Sequence, residues 1–353
     1  MGWRLLGQTG VVTMLAAAQR EGRLAHAYLF VGPSQVGKAT AARELALALT
    51  CRGEDPPCHR CRQCHEIEAG RHPDLELVGV GGLCEEPDHR DHRTDGSKDI
   101  RICQVRRLER VLSRAPYEGQ HRVVIVDPAD ALNVEAANAF LKTLEEPPAS
   151  AVLILVTGRE EALPPTVRSR CRRVAFQRIP VAGVEQALVE RWSAAPEKAK
   201  ALARLSGGRL GWAVTALEDE GLLASRGSLL DEVERLAGAS LSERFSFAGR
   251  HGFLFSRERE SVLAVLDLWE EWWRDLLLAA AGRPDLALNL DRLDKLSEES
   301  GQYQVRAVVR FLKALGRVRR QLQENVNPLL ALEALMLELP APALRKEAGS
   351  SRP

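Results

Sequence analysis

Residues 27–38 read AYLFVGPSQVGK, and this stretch decides the fold. Its first five residues are apolar, which predicts a short buried strand, and an alanine- and leucine-rich helix is predicted over residues 38–50. A glycine-containing loop between a strand and a helix start is the pattern of a phosphate-binding loop, because backbone N–H groups and the helix N-terminus attract phosphate. The candidate nucleotide ligands in it are Gly32, Pro33, Gly37 and Lys38.

Further short apolar runs alternate with helical patterns along the first half of the chain. Strands are predicted at residues 122–126, 151–156 and 173–176, and helices at 11–21, 100–113 and 136–144. This alternation predicts a parallel sheet covered by helices on both faces. The fold class is therefore α/β, followed by helices alone.

The domain organisation follows from where the strand patterns stop. We predict an α/β nucleotide-binding-like domain over residues 1–178, a small helical unit over 179–214 and a helical domain over 215–340, with a disordered tail at 341–353. Trp269, Trp272 and Trp273 are expected in the helical core. Residues 79–99 lack periodicity and predict an exposed loop, to which no role is assigned.

Charge and composition exclude some classes of function. Lys and Arg total 49 against 48 acidic residues, a net charge of +1, which argues against a protein that coats nucleic acid by charge alone. The arginine-rich stretches at 101–114 and 168–173 are typical of solvated surfaces, although DNA contact there stays open. No apolar run reaches the roughly 20 residues of a membrane span, and no leader pattern is seen, so we expect a cytoplasmic protein without a membrane partner.

The predicted phosphate site lacks two polar groups. Ala39 stands where a hydroxyl would bind Mg²⁺, and Thr40 lies about 100° further around the helix. Asp127, at the end of the predicted strand, could serve a metal. Pro128 follows where a glutamate would polarise water, and proline cannot act as a base. The sequence therefore predicts that ATP or ADP binds weakly or not at all and is not hydrolysed.

Four cysteines crowd into residues 51–64 with spacings typical of a metal site. Four thiolates around Zn²⁺ form a closed structural centre without room for catalytic water. His59 and His65 are alternatives to one of the cysteines, while Cys84 and Cys103 are expected to be unliganded. A zinc deaminase is excluded because its upstream His-x-Glu or Cys-x-Glu is missing. The predicted zinc ligands are Cys51, Cys58, Cys61 and Cys64.

Several motifs resemble the subunits of bacterial clamp loaders, which belong to the AAA+ class. LAHAYLF at 24–30, AANAFLKTLEEPP at 136–148, TVRSRC at 166–171 and the stretch 325–333 carry the resemblance, which covers essentially the whole chain. It implies an AAA+ domain interrupted by a zinc knuckle, then a helical lid and a helical collar that holds neighbouring subunits.

The family contains ATPase subunits, called gamma or tau, and non-hydrolysing delta-prime subunits. Ala39 and Pro128 favour the delta-prime branch, as does Gly211, which stands where the family's spacing places a nucleotide-sensing arginine; Arg209 lies two residues early. The resemblance implies gamma or tau and delta as partners in a hetero-oligomer, with the sliding clamp and primed DNA reached through that complex. It also implies that Arg170 is an arginine finger for a neighbour's ATP.

Two alternatives stay open for the function and one for Arg170. The chain is alternatively an active ATPase of the same assembly, or a zinc-dependent nucleic-acid-binding protein with a vestigial nucleotide fold. From the residues alone, Arg170 is either a guanidinium that stabilises phosphoryl transfer or a member of a surface salt bridge.

Overall fold

The computed structural model describes residues 2–84, 92, 98–255, 257–323 and 326–342. The strands are β1 (Ala27–Val31), β2 (Leu75–Val78), β3 (Arg122–Val126), β4 (Ala151–Thr157) and β5 (Arg172–Ala175). The helices of the first half are α1 (Thr9–Arg20), α2 (Lys38–Thr50), α3 (Arg62–Glu68), α4 (Ile102–Leu112), α5 (Val134–Glu145) and α6 (Pro165–Arg168). Those of the second half are α7 (Val181–Trp192), α8 (Pro196–Leu205), α9 (Leu210–Glu218), α10 (Glu220–Ala237), α11 (Leu241–Phe255), α12 (Arg259–Ala280), α13 (Leu293–Ser300), α14 (Val305–Gln323) and α15 (Pro328–Glu338).

The five described strands form one parallel sheet in the order β2-β3-β4-β1-β5. β1 lies between β4 and β5, with Val31 opposite Thr157 on one side and Ala175 on the other. β3 lies beside β4, with Val126 opposite Leu155. Because the strands are parallel, the loops after β1, β3 and β4 leave the sheet at the same edge. This edge holds the residues predicted to bind nucleotide.

Both faces of the sheet are covered, which explains the continuous apolar runs. Every residue of β1, β3 and β4 is buried. Tyr28 and Phe30 pack with residues of α1 and α2 on one face, while Leu29 and Val31 pack with α4 and α5 on the other. A strand buried on both faces is apolar along most of its length, and Arg122 and Thr157, at the ends of β3 and β4, are the exceptions here. The predicted α/β class with a parallel sheet is confirmed.

The first half differs from the predictions in several places: β2, α3 and α6 were not predicted, and the segment 79–99 was predicted incompletely. β2 was missed because it is an edge strand in which Glu76 and Leu77 reach the surface, so its pattern is not continuously apolar. The segment 79–99 was predicted to be an exposed loop, and much of it lies outside the described residues. Within the described part the prediction is wrong for Cys84 and His92, since both are buried.

The second half is helical, as predicted, and has its own core. Trp269, Trp272 and Trp273 on α12 are almost completely buried, which confirms their predicted place. The rings of Trp273 and Phe311 meet edge to face with centroids 5.4 Å apart. Such ring pairs add about 0.5–1.5 kcal/mol beyond burial of their area.

The chain separates into two compact units, one of residues 1–187 and 208–212, and one of residues 188–207 and 213–353. The division crosses α7, so it does not coincide with the boundaries at 178 and 214, which stay predictions. The predicted tail, apart from its first two residues, lies outside the described residues. Within the described ranges, no helix combines the length and apolar character that a membrane crossing needs.

Candidate functional site

The phosphate loop connects β1 to α2 and depends on two glycines with positive φ. Gly32 has φ 147° and Gly37, the residue before α2, has φ 98°. A Cβ at Gly32 would lie 2.4 Å from the carbonyl oxygen of Phe176, so a larger residue would displace the chain after β5. The backbone therefore keeps the conformation typical of a loop that curls around phosphate.

Lys38 lies inside this loop. Its Nζ donates hydrogen bonds to the carbonyl oxygens of Gly32 and Pro33 at 2.6 and 2.5 Å. Burial lowers the pKa of the Lys38 ammonium, while the carboxylates of Asp127 and Asp130 act in the opposite direction. The amine is thus placed at the sheet edge where a phosphate would lie, and loop carbonyls solvate it in this structure.

The second half of the site lies after β3, where Asp127 and Pro128 occupy the predicted positions. Asp127 is exposed, and its backbone N–H donates to the carbonyl of Val78 at 2.9 Å. The nearby Asp130 was not singled out from the sequence. Its Oδ2 accepts from Arg159 Nε at 2.9 Å, and its Oδ1 accepts from Thr157 Oγ1 at 2.6 Å. Asp130 is therefore held by β4 and the turn after it.

On the helix side of the loop, Ala39 is the second residue of α2 and Thr40, the third, is exposed. That the site lacks a Mg²⁺-binding hydroxyl stays a prediction.

Gly211 contacts the phosphate loop through its backbone. Its N–H donates to the carbonyl oxygen of Gln35 at 2.9 Å. A Cβ at Gly211 would lie 3.0 Å from that same oxygen, which is tighter than ordinary contacts. The position at which the resemblance places a sensing arginine therefore lies at the loop, but it is packed for a residue without a side chain.

Arg170 follows the short helix α6 and is about one third exposed, with a side-chain exposure of 35%. Its Nη1 donates to the carbonyl of Thr166 at 2.9 Å and its Nη2 to Glu145 Oε1 at 2.5 Å. Glu145 ends α5, and its side chain is 50% exposed. The guanidinium is thus held at the surface by one carboxylate and one carbonyl oxygen. Arg170 belongs to the segment after α6 and not to the chain's own phosphate loop.

The four predicted cysteine ligands lie together. Their sulfur atoms all lie within 4.8 Å of one another. The Sγ atoms of Cys58 and Cys64 are 4.0 Å apart, as are those of Cys61 and Cys51. Two sulfurs bound to one tetrahedral Zn²⁺ would be separated by about 3.8 Å, given Zn–S bonds of about 2.3 Å. The set therefore fits a tetrahedral ion.

Backbone donors surround these sulfurs. Cys51 Sγ accepts from the N–H groups of Gly53 at 3.3 Å and Cys58 at 3.4 Å. The backbone N–H of Arg60 lowers the pKa of Cys58 to about 6, whereas burial raises the pKa of Cys64. A Cβ at Gly53 would lie 2.9 Å from that of Cys58, so this turn requires glycine. N–H donors favour the thiolate form that a metal needs.

The two histidines named as alternative ligands have other roles. His59 contacts Glu68 Oε1 through Nδ1 at 2.9 Å and the carbonyl of Gly2 through Nε2 at 2.7 Å. His65 is exposed, with Nδ1 3.9 Å from Glu68. Both histidines lie outside the cysteine group, so the four-cysteine set is the one that could hold zinc.

A second group of candidate ligands was not predicted. Cys84 and Cys103, which were expected to be unliganded, lie with His92 in a buried group whose ligand atoms are within 4.8 Å of one another. No spacing pattern indicates this group, because seven and ten residues separate its members along the chain.

The strand order, the loop after β1 and the acid after β3 define a P-loop domain of the AAA+ class. A family model described as "DNA polymerase III, delta subunit" matches residues 7–180. DNA polymerase III subunit delta' of Pseudomonas aeruginosa is 31% identical over 336 residues, 90% of this chain and 93% of that protein. The chain belongs to the family of DNA polymerase III delta' subunits.

The chain is also similar to other proteins. Subunit delta' of Bacillus subtilis is 29% identical over 94% of this chain and 96% of its own length. Subunit tau of Escherichia coli is 33% identical over 64% of this chain, which is 33% of tau. A solved gamma-subunit-related protein of Thermotoga maritima is 18% identical over 92% of this chain and 97% of its own, with a TM-score of 0.39.

Proposed function

We propose that this chain is a non-hydrolysing subunit of a bacterial replicative clamp loader. It joins gamma or tau and delta subunits in a hetero-oligomer that uses ATP to place a sliding clamp on primed DNA. One observation carries the proposal: the phosphate loop keeps its backbone and Lys38, but Ala39 and Pro128 stand where hydrolysis requires a hydroxyl and a carboxylate. Residues 179–214 and 215–340 would be the lid and the collar.

The proposal is tested by purifying the chain with its partners from cells and identifying them by mass spectrometry. We expect gamma or tau and delta in the same complex. Recovery of the chain without any of these subunits, under conditions that preserve the complex for a tagged gamma or tau, would contradict it.

The position of Arg170 supports a role toward a neighbour. Its guanidinium is partly exposed and is held by the exposed carboxylate of Glu145, an interaction worth about 0–1 kcal/mol. Such a weak hold costs little to exchange for the γ-phosphate of a nucleotide bound by an adjacent subunit. A planar guanidinium can bridge two phosphate oxygens and stabilise charge in the transition state.

The isolated chain is expected not to hydrolyse ATP. Without the hydroxyl at Ala39 and the base at Pro128, neither Mg²⁺ nor the attacking water is positioned. Phosphate release, measured at steady state, should stay at the buffer background.

Lys38→Ala provides the control for contaminating ATPases, because any background should be identical in wild type and variant. A turnover near 1 s⁻¹, ordinary for an enzyme, that disappears in Lys38→Ala would instead support the active ATPase alternative.

We further propose that the four-cysteine set holds a structural Zn²⁺. The four sulfurs complete the coordination of a tetrahedral ion, so the chemistry supplied is cross-linking of the knuckle and not catalysis. Gly53 and the N–H donors to Cys51 fix the thiolates in place.

Replacing Cys61 by serine should remove one zinc per chain and lower the melting temperature without preventing folding, because most of the α/β core residues lie outside the knuckle. Elemental analysis and thermal denaturation measure the two effects. Cys171→Ser is the matched control, since Cys171 lies outside both ligand groups. An unchanged zinc content in Cys61→Ser would exclude the site.

The alternative of a zinc-dependent nucleic-acid-binding protein makes a different prediction. It requires the isolated chain to bind DNA with an affinity that falls steeply as salt increases. The near-neutral net charge of +1 argues against it. A salt-dependent titration with primed DNA separates this alternative from a subunit that reaches DNA through its complex.

A further inference from the structure

Cys84, His92 and Cys103 form a buried group of soft and borderline metal ligands. Their exposed fractions are 7%, 1% and 4%, and their three ligand atoms lie within 4.8 Å of one another. His92 Nε2 lies 3.2 Å from Cys103 Sγ. None of the three belongs to the four-cysteine set, and the proposed function uses none of them.

The distances resemble those of the four-cysteine set. A nitrogen and a sulfur bound to one tetrahedral Zn²⁺ would be about 3.6 Å apart, given Zn–N bonds near 2.0–2.1 Å and Zn–S bonds near 2.3 Å. The observed distance of 3.2 Å between His92 Nε2 and Cys103 Sγ is a few tenths of an ångström shorter than that value. In the four-cysteine set, the S–S distances of 4.0 Å are slightly longer than the value expected for bound zinc. Small side-chain rotations would therefore bring the ligands to an ion.

The backbone on either side of the group is fixed. Gln104 accepts from Arg101 N–H at 2.9 Å and donates to the carbonyl of Gly79 at 2.9 Å, which joins the start of α4 to the segment after β2. Gly82 N–H donates to the same carbonyl at 3.1 Å, and its missing Cβ makes room for the Gln104 amide, which would lie 2.7 Å away. The segments that carry Cys84 and Cys103 are thus joined by a hydrogen bond one residue after Cys103 and five residues before Cys84.

Cys103 is the second residue of α4, where the helix dipole favours negative charge, although burial and the neighbouring Cys84 raise the pKa of its thiol. Two thiolates and an imidazole select Zn²⁺ and related ions over Mg²⁺ or Ca²⁺, which prefer oxygen ligands.

We propose that Cys84, His92 and Cys103 bind a second metal ion of the zinc class. The ion joins the segment after β2 to the start of α4, and the three side chains leave one tetrahedral position for a further ligand. A buried pair of thiols that only hydrogen-bond with histidine, or a redox-active pair that forms a disulfide, is the competing explanation.

Metal content under anaerobic, reducing conditions tests the proposal. The wild-type chain, refolded or expressed with added zinc, should contain two zinc ions per chain. The variant Cys84→Ser/Cys103→Ser should contain one, held by the first set, and Cys61→Ser should also contain one, held by the second. Cys171→Ser should retain two. If only the four-cysteine set failed to bind zinc, the wild type would contain one zinc ion. Cys61→Ser would then still contain that ion, and the double variant would contain none.

A second measurement does not depend on how the variants fold. X-ray absorption at the zinc edge of wild-type protein should give an average of fewer than four sulfur ligands per zinc, with a nitrogen contribution from His92. One zinc per wild-type chain with four sulfur ligands would overturn the proposal. The proposal would also be overturned if the reduced wild type contained a single zinc and lost two free thiols in air, with that loss requiring both Cys84 and Cys103.

Discussion

Replacing Arg170 by alanine is expected to lower the DNA-stimulated ATPase rate of the reconstituted clamp loader, and clamp loading with it. An arginine supplied to a neighbour's nucleotide typically accelerates hydrolysis about 10³–10⁵-fold. The ATP site of the neighbouring subunit should therefore lose almost all of its hydrolysis rate. The total rate should fall only partly, because other subunit boundaries keep their own arginines. The subunit should stay folded, since the surface pair with Glu145 contributes at most about 1 kcal/mol.

Three variants separate this role from a structural one. Arg170→Lys keeps the charge but loses the planar fork, so it should recover little activity. Arg173→Ala removes a neighbouring exposed arginine that pairs with Glu160, and it should leave the rate unchanged. Glu145→Gln breaks the pair with Arg170 and keeps the guanidinium, so it should also leave the rate unchanged. If Arg170→Ala and Glu145→Gln lowered the ATPase rate equally, the effect would come from the salt bridge and not from contact of Arg170 with a neighbour's nucleotide.

Asp74 is expected to be the most sensitive single carboxylate for stability. It is completely buried, and its oxygens accept from the backbone N–H groups of Tyr117, Glu118 and Gly119 at 2.6–3.0 Å. Arg122 Nη2 contacts it at 3.2 Å. Asp74→Asn keeps the shape of the side chain but replaces one accepting oxygen by an NH₂ group, which would face the backbone N–H donors. It also leaves Arg122 without its counter-charge. The free energy of unfolding should fall by about 3–5 kcal/mol, measured by urea denaturation.

The stability should also depend on pH through this group. Burial alone would raise the pKa of Asp74, but the three N–H donors and Arg122 outweigh it and hold that pKa below the ordinary value. A depressed folded-state pKa means that the stabilisation is present above the unfolded pKa, near 3.9. It is lost as the pH falls from about 5 through the folded-state pKa.

Asp74→Asn should therefore show a smaller loss of stability between pH 5 and acid than wild type does. Glu54→Gln, in an exposed loop of the same unit, is the control and should change the unfolding free energy by less than about 0.5 kcal/mol. A difference below about 1 kcal/mol between wild type and Asp74→Asn at neutral pH would contradict this account.

The elements that could be predicted from the sequence are those whose pattern is locally complete. β1 and β3 begin and end at the predicted residues, because a run of four or five apolar residues between polar turns describes a strand buried on both faces. β5 begins one residue earlier than predicted, since Arg172 pairs opposite Tyr28 although its side chain is exposed. β2 could not be found, because an edge strand lacks the continuous apolar pattern.

The same distinction applies to the candidate sites. The four clustered cysteines were predictable because their spacing alone brings them within reach of one ion. Asp130 and Arg159 meet only because β3 and β4 are neighbours in the sheet, and Cys84 and Cys103 meet only because α4 packs beside the segment after β2. Such contacts depend on the tertiary fold, and no spacing rule expresses them.

If the chain does not hydrolyse ATP, as proposed, the hydrogen bond between Gly211 and Gln35 hinders a regain of that activity. A working site would need a hydroxyl at position 39, a carboxylate at position 128 and a phosphate-sensing side chain near position 211. The third change would push a Cβ to within 3.0 Å of the Gln35 carbonyl and disturb the loop that the first two changes require. Under that proposal no single substitution restores all three groups, and the one at position 211 also requires the Gln35 backbone to shift by a few tenths of an ångström. A return of ATPase activity would therefore need coordinated changes in three separate parts of the chain.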